Sequence, residues 1–75
     1  MWISTDQIRF DEVDGEPVCA RCGGSLASRR RESEITVTCE TDGCRNSGKI
    51  LIVASGYSEI TAELSVLRAG QLRLQ

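Results

Sequence analysis

The chain contains no histidine. That removes the side chain most used for proton transfer near neutral pH, and nothing replaces it. No nucleophile stands beside a base and no glycine-rich phosphate loop is present; Ser25 and Tyr57 have no activating neighbour. Enzyme activity is therefore not expected. Aromatic residues number three, Trp2, Phe10 and Tyr57. None is near in sequence to the basic run Arg29-Arg30-Arg31, so the stacking platform of a single-strand binder is not foreseen, and two of the three are expected in the core. The longest apolar run, Ile50–Ala54, is five residues, far short of a membrane span of about 20. Residues 1–7 lack the positive charge and apolar stretch of a secretory leader. The expected compartment is reducing and intracellular, the cytoplasm, where paired cysteines favour a metal over disulfides.

Charge of one sign is also missing. The net charge is −2, unevenly spread: −4 over residues 1–18, +2 over residues 19–49 and zero over residues 50–75. A dedicated nucleic-acid binder carries a stronger positive balance. At 75 residues the chain is one domain that buries only about 60% of its unfolded surface, which makes an apolar core marginal. Domains of this size need a staple. The four cysteines supply the candidate.

All four lie between Cys19 and Cys44, as Cys19-Ala20-Arg21-Cys22, sixteen residues, then Cys39-Glu40-Thr41-Asp42-Gly43-Cys44. Zinc takes four ligands in a tetrahedron, and thiolates suit it. Two cysteines separated by two residues converge on one ion if the backbone makes a tight knuckle, which Gly23-Gly24 eases. The second pair needs a looser loop, which Asp42-Gly43 provides. Sixteen residues suffice for two strands and a tip that bring the pairs face to face. Cys19, Cys22, Cys39 and Cys44 are therefore expected to hold one structural zinc. Disulfides, an iron centre and a redox pair are the alternatives. The wide second spacing argues against a rubredoxin-like iron site, and a Cys19–Cys22 redox pair leaves Cys39 and Cys44 unexplained. With zinc bound, four thiolates take the formal charge of the particle to about −4.

Around this centre the pattern predicts strands. Residues 7–13 alternate and Asp14-Gly15 suits a two-residue hairpin turn, with residues 16–18 as the return. Residues 25–30 are expected to be extended, with Leu26 inward and Arg30–Ser33 as the tip. Residues 34–39 form a two-faced strand with Ile35, Val37 and Cys39 on one side. Ile50–Ala54 predicts a central strand covered on both faces. A helix over residues 58–69 is to cover the second face, with Ser58 as N-cap and Gly70 as C′ residue. Its stripe is Ile60, Leu64 and Leu67 with Val66 and Ala69 beside them. Residues 71–75 return to period two and suit an edge strand, or an added strand on a partner.

The run Cys-Ala-Arg-Cys-Gly-Gly-Ser-Leu over 19–26, the following hairpin, Ile35–Cys44 and the strand at residues 49–53 resemble the zinc-ribbon family over about residues 17–54. The first half, Cys-x-x-Cys-Gly-Gly-x-Leu, is also similar to small cysteine modules at the ends of some topoisomerases. The resemblance implies a three-stranded antiparallel sheet with zinc at one end. The expected fold is thus a small α+β metal-stapled domain: ribbon at 19–54, N-terminal strand or hairpin at 1–18, helix on the sheet. The family serves in transcription factors, ribosomal proteins, nucleic-acid enzymes and protein adaptors.

For function, the favoured expectation is a non-catalytic adaptor or accessory subunit that binds another protein, with no membrane and no small-molecule substrate. The acidic stretch Asp11–Glu16 suits docking to a basic surface, and Trp2 suits a partner pocket. The alternative is a nucleic-acid-binding or transcription-related accessory factor using Arg29, Arg30 and Arg31 as a tip, helped by Arg45 and Lys49. Arg21 and Arg45, beside the ligands, are expected to balance the thiolates and hold backbone carbonyls.

Overall fold

A computed structural model describes residues 1–73. Strands β1 (Trp2–Ile3), β2 (Ile8–Phe10), β3 (Pro17–Cys19), β4 (Leu26–Arg31), β5 (Glu34–Cys39) and β6 (Ile50–Ala54) precede one helix, α1 (Tyr57–Arg73). They form a four-stranded antiparallel sheet in the order β1-β6-β5-β4 and a separate β2-β3 ribbon. The domain is α+β, as expected. The main sheet has one strand more than the ribbon alone, because Trp2 and Ile3 pair with Val53 and Ile52. No helix among the described residues is long and apolar enough to cross a membrane.

The β4-β5 hairpin sits in the expected place, with Leu26 opposite Cys39 and Arg31 opposite Glu34. Its tip is shorter than expected: only Glu32 and Ser33 turn, and Glu32 takes the left-handed φ of 55° that lets two residues close the hairpin. Arg29, Arg30 and Arg31 consequently stand on a strand and point to alternate faces, so they do not gather as a tip.

The N-terminal hairpin differs as well. Residues 5–7 are a 3-10 turn, β2 stops at Phe10, and Asp14-Gly15 is not a two-residue turn. Asp11 breaks the strand by accepting a hydrogen bond from the Val13 N–H (2.7 Å) with its side chain and one from the Gly15 N–H (2.8 Å) with its carbonyl. Gly15, at φ 72°, closes the longer loop. A short polar side chain that bonds its own backbone two residues on outcompetes strand extension here.

Strand β6 is central, between β1 and β5, as its apolar run predicts. Only one of its faces is covered, however. Its register against β5 shifts between Val37 and Thr38, leaving Leu51 as the extra residue of a bulge. The bulge lets the consecutive Leu51 and Ile52 both bury, while Ile50 stays 48% exposed on the other face. The core lies on the side of Ile35, Val37, Cys39, Ile52 and Ala54, where Ile60 and the partly buried Leu64 of α1 pack.

Helix α1 starts at Tyr57, one residue before its expected start. Ser55 donates its N–H to Glu59 Oε2 (3.0 Å) and its hydroxyl to the same oxygen, so the cap is built by Ser55 and Glu59, and Ser58 is not the N-cap. The Met1 amino group lies 3.5 Å from Glu59 Oε1. Ile60, Leu64, Leu67 and Gln71 recur at i, i+4, i+7, i+11 and form the buried or half-buried stripe. Val66 is 70% exposed and Ala69 is exposed, because they sit about 120° or more around the helix from Ile60. The helix runs through Gly70, which therefore does not act as its C′ residue. A single interior glycine costs only about 1 kcal/mol, and Gln71 continues the stripe by donating to the Ile8 carbonyl (3.5 Å). Residues 71–73 are thus helical where an edge strand is expected; residues 74 and 75 lie outside the described ones.

Hydrogen bonds from Ser55 hold the Glu59 carboxyl below its usual 4.5. A carboxyl depressed in the folded state adds stability above its unfolded pKa and loses it as pH falls through the lowered folded value. Glu59→Gln is therefore expected to lower the melting temperature at neutral pH, with the difference vanishing in acid well below pH 4.5. Melting curves of both proteins across that range check it.

Candidate metal centre

Two knuckles face each other at one end of the sheet. The first follows β3: the Gly23 N–H bonds the Cys19 carbonyl (2.8 Å), the Cys19 N–H bonds the Gly24 carbonyl (3.0 Å), and Gly23 takes φ 70°. Gly24 has no room for a side chain, since a Cβ there would run into the Thr41 hydroxyl. The second leaves β5 at Cys39 and closes through Cys44 N–H to the Thr41 carbonyl (3.2 Å) and Gly48 N–H to the Cys39 carbonyl (3.0 Å), with Gly43 and Gly48 left-handed. The ends of β3 and β5 deliver Cys19 and Cys39 to the interior, both 0% exposed, while Cys22 is exposed and Cys44 half-buried.

All four sulfurs lie within 4.8 Å of one another. Cys19 Sγ is 3.8 Å from Cys44 Sγ, and Cys22 Sγ is 3.7 Å from Cys39 Sγ. A tetrahedral ion bound at about 2.3 Å by thiolates places its sulfurs about 3.8 Å apart. The cysteines are unbridged, and the separations far exceed a disulfide bond of about 2.05 Å. The donor set and its spacing fit one tetrahedral metal ion.

Hydrogen-bond donors surround the sulfurs in the way thiolates require. The Gly24 N–H points at Cys22 Sγ (3.3 Å) and the Asn46 N–H at Cys44 Sγ (3.4 Å), the same i+2 contact in both knuckles. Burial pushes the Cys19 thiol up, but the N–H groups of Cys22 and Arg21 and the Asn46 amide outweigh it and leave it at about 6. Burial raises Cys39 to about 11. The Thr41 hydroxyl, then the Gly24 N–H, hold Cys22 below its usual value. A divalent cation at the centre of the four sulfurs would favour the thiolate form of all of them, including the buried Cys39.

Asn46 is the buried polar residue that the pattern of spacings does not reveal. It is 2% exposed, and its Nδ2 donates to Gln7 Oε1 (2.7 Å) and to Cys19 Sγ (3.5 Å). Its place two residues after Cys44, matching Gly24 after Cys22, hints at the backbone contact. Nothing local to it signals Gln7, which lies 39 residues away.

The basic candidates are not brought together. Arg45 and Arg21 are exposed beside the centre, lining a shallow depression with Cys22 and Thr41. Neither makes an ion pair or side-chain hydrogen bond among the described residues. The expectation that they hold backbone carbonyls is not met; backbone N–H groups, Thr41 and Asn46 attend the sulfurs instead. Arg29 pairs with Glu40 at 3.9 Å, both exposed, an interaction worth little. Arg30 pairs across the strands with Ile35, Arg31 with Glu34, and Lys49 is exposed in the turn before β6.

Replacing Asn46 tests the centre's outer contacts. Asn46→Ala strands the half-buried Gln7 carbonyl and is expected to cost about 1–3 kcal/mol in chemical denaturation. Asn46→Asp, nearly isosteric, sets a carboxylate against thiolate sulfur and should weaken metal binding more than Asn46→Ala does, by about 10- to 100-fold. Competition with a chromogenic chelator measures both. A scan against protein-family models, a search of curated proteins and a search of solved structures each find no match to this chain, so the zinc-ribbon resemblance goes no further than the cysteine pattern and the clustered sulfurs.

Proposed function

We propose that the protein is a non-catalytic, zinc-stapled module that binds another protein through the open face of its sheet. The ion is zinc, because four thiolates at tetrahedral spacing are its usual structural set and leave no coordination position for substrate. It holds the fold and does no chemistry. Its contribution to folding is on the order of 10 kcal/mol, comparable with the whole stability of a small domain.

One observation carries the binding role: the face of the sheet opposite α1 is bare and apolar at its centre. Strand pairing aligns Trp2, Val53, Thr36 and Arg29 in one row across all four strands, and Ile50 follows beside Thr38. Trp2 is 51% exposed. Central strands normally bury such residues, and an exposed apolar patch with an aromatic anchor is what a protein interface uses.

The same row supports a second reading. Trp2 and Arg29 share a face although they are far apart in sequence, and an aromatic with an arginine on an open sheet suits single-stranded nucleic acid. Trp2 does not belong to the core, nor does Tyr57, against the expectation for two of the three aromatics. The net charge of −2 and the pairing of Arg29 with Glu40 favour the protein partner.

Metal analysis comes first: native mass spectrometry is expected to find one zinc per chain, and Cys39→Ser to abolish both the zinc and the folded state. A Cys39→Ser protein with an unchanged melting curve would remove the staple from the account. The two functions separate by titration of single- and double-stranded oligonucleotides at low and physiological salt, beside affinity capture from the native host. Capture that falls in Trp2→Ala with Ile50→Ser but not in Arg29→Ala supports the protein reading. Micromolar oligonucleotide binding lost in Arg29→Ala and Trp2→Ala reverses the preference.

A further inference from the structure

The other face of the sheet is only half covered. Helix α1 packs over β6, and the β2-β3 ribbon reaches β4 at one end through the bridge between Val18 and Ser25. Between them a cleft of about 630 Å³ remains. That is within the range of pockets that take a ligand or an anchoring side chain, about 300–1,000 Å³.

Its floor is the cross-strand row Ser28, Val37 and Ile52, and Ile60 and Leu64 form one wall. Tyr57, half exposed at the first turn of α1, stands at the mouth. The opposite rim is the hairpin loop, which contributes Asp11, Asp14 and Glu16. No arginine or lysine forms an ion pair with these three carboxylates among the described residues. The Arg68 guanidinium rests against Gly15, between Asp14 and Glu16 in the chain, and Arg9 points at Gly23. The three carboxylates outnumber the one guanidinium beside their loop, in the part of the chain that carries −4 over residues 1–18.

We infer that this cleft binds an extended segment of a partner protein, one that places an apolar side chain against the accessible Leu26, Tyr57 and Leu64 and a neighbouring lysine or arginine against Asp14 and Glu16. The inference rests on the protein-binding reading and adds a second surface, with a stated partner chemistry, to the bare outer face. The apolar side chain supplies burial, and the rim selects for basic flanks and against acidic ones. Asp11 is the least available of the three, because its carboxylate accepts the N–H groups of both Val13 and Asp14, whereas that of Asp14 accepts only the Glu16 N–H.

The test uses the metal-loaded full chain, isotope-labelled for NMR, and two fluorescein-labelled peptides: two leucines flanked by lysines, and the same peptide with glutamates in place of the lysines. The lysine peptide is expected to move the amide signals of Leu26, Val37, Ile60 and Leu64, and to bind more weakly as salt rises. Asp14→Asn together with Glu16→Gln should weaken it about tenfold. Ser28→Trp, which fills the cleft from its exposed β4 side, should remove binding while the remaining signals keep their folded positions. No shift at millimolar peptide, or equal binding of the glutamate peptide, would overturn the inference. Shifts confined to Trp2, Thr36 and Val53 would also overturn it, while leaving the protein-binding reading intact. Cleft signals that move on dilution of the protein alone would assign the cleft to a second copy of the chain and overturn the partner proposed here.

Discussion

Four sulfurs brought within 4.8 Å of one another are the constraint on which the other elements depend. As thiols they differ: hydrogen-bond donors hold Cys19 at about 6 against its burial, while burial first, and then the neighbouring sulfurs, push Cys39 up to about 11. A metal ion at their centre would tie together the end of β3, the end of β5 and the two loops that follow them. The apolar cluster alone is small, with Ile8, Ile35, Leu51, Ile52 and Ile60 as its largest buried members. Side chains of that size contribute about 1.5–3 kcal/mol each against an entropy cost spread over the whole chain. Such a staple would let so modest a core leave its sheet partly uncovered on both sides.

Those uncovered surfaces differ in chemistry. On the outer face, Trp2, Ile50 and Val53 sit among threonines and an arginine, broad and shallow. On the helix side, the opening is narrow, apolar below and acidic at the rim. Period-two alternation along β4, β5 and β6 produces both from the same strands, as one face takes Thr36 and Thr38 and the other takes Ile35 and Val37.

The cysteine spacing made the centre legible, because ligand geometry is local: a tight knuckle, a looser loop and a hairpin of known length between them. The alternation of residues 34–39 and the long apolar run of β6 were legible for the same reason. The misplaced features all depend on distant contacts or on competing local ones. Five apolar residues in a row read as a strand covered on both faces, but a bulge at Leu51 lets Leu51 and Ile52 bury together and leaves Ile50 exposed. Gly70 reads as a stop signal, yet Gln71 reaches the Ile8 carbonyl and the helix continues. The arginine run reads as a patch until strand geometry divides it. Trp2 and Arg29 share a row that depends on β1 pairing with β6, across about fifty residues of chain, which no short window of sequence contains.

The bond between Asn46 and Gln7 also bears on the order in which the domain assembles. Asn46 reaches its buried position only when the loop after Cys44 has closed, and it then receives the segment that leads into β2. Strand β1 likewise has no partner until β6 is in place. Contacts this far apart in sequence form late, after the shorter loops are shut. Residues 1–7 therefore dock onto a hairpin and cysteine loops already in place, whereas the acidic rim of the cleft, closed by bonds within residues 11–16, needs no such wait.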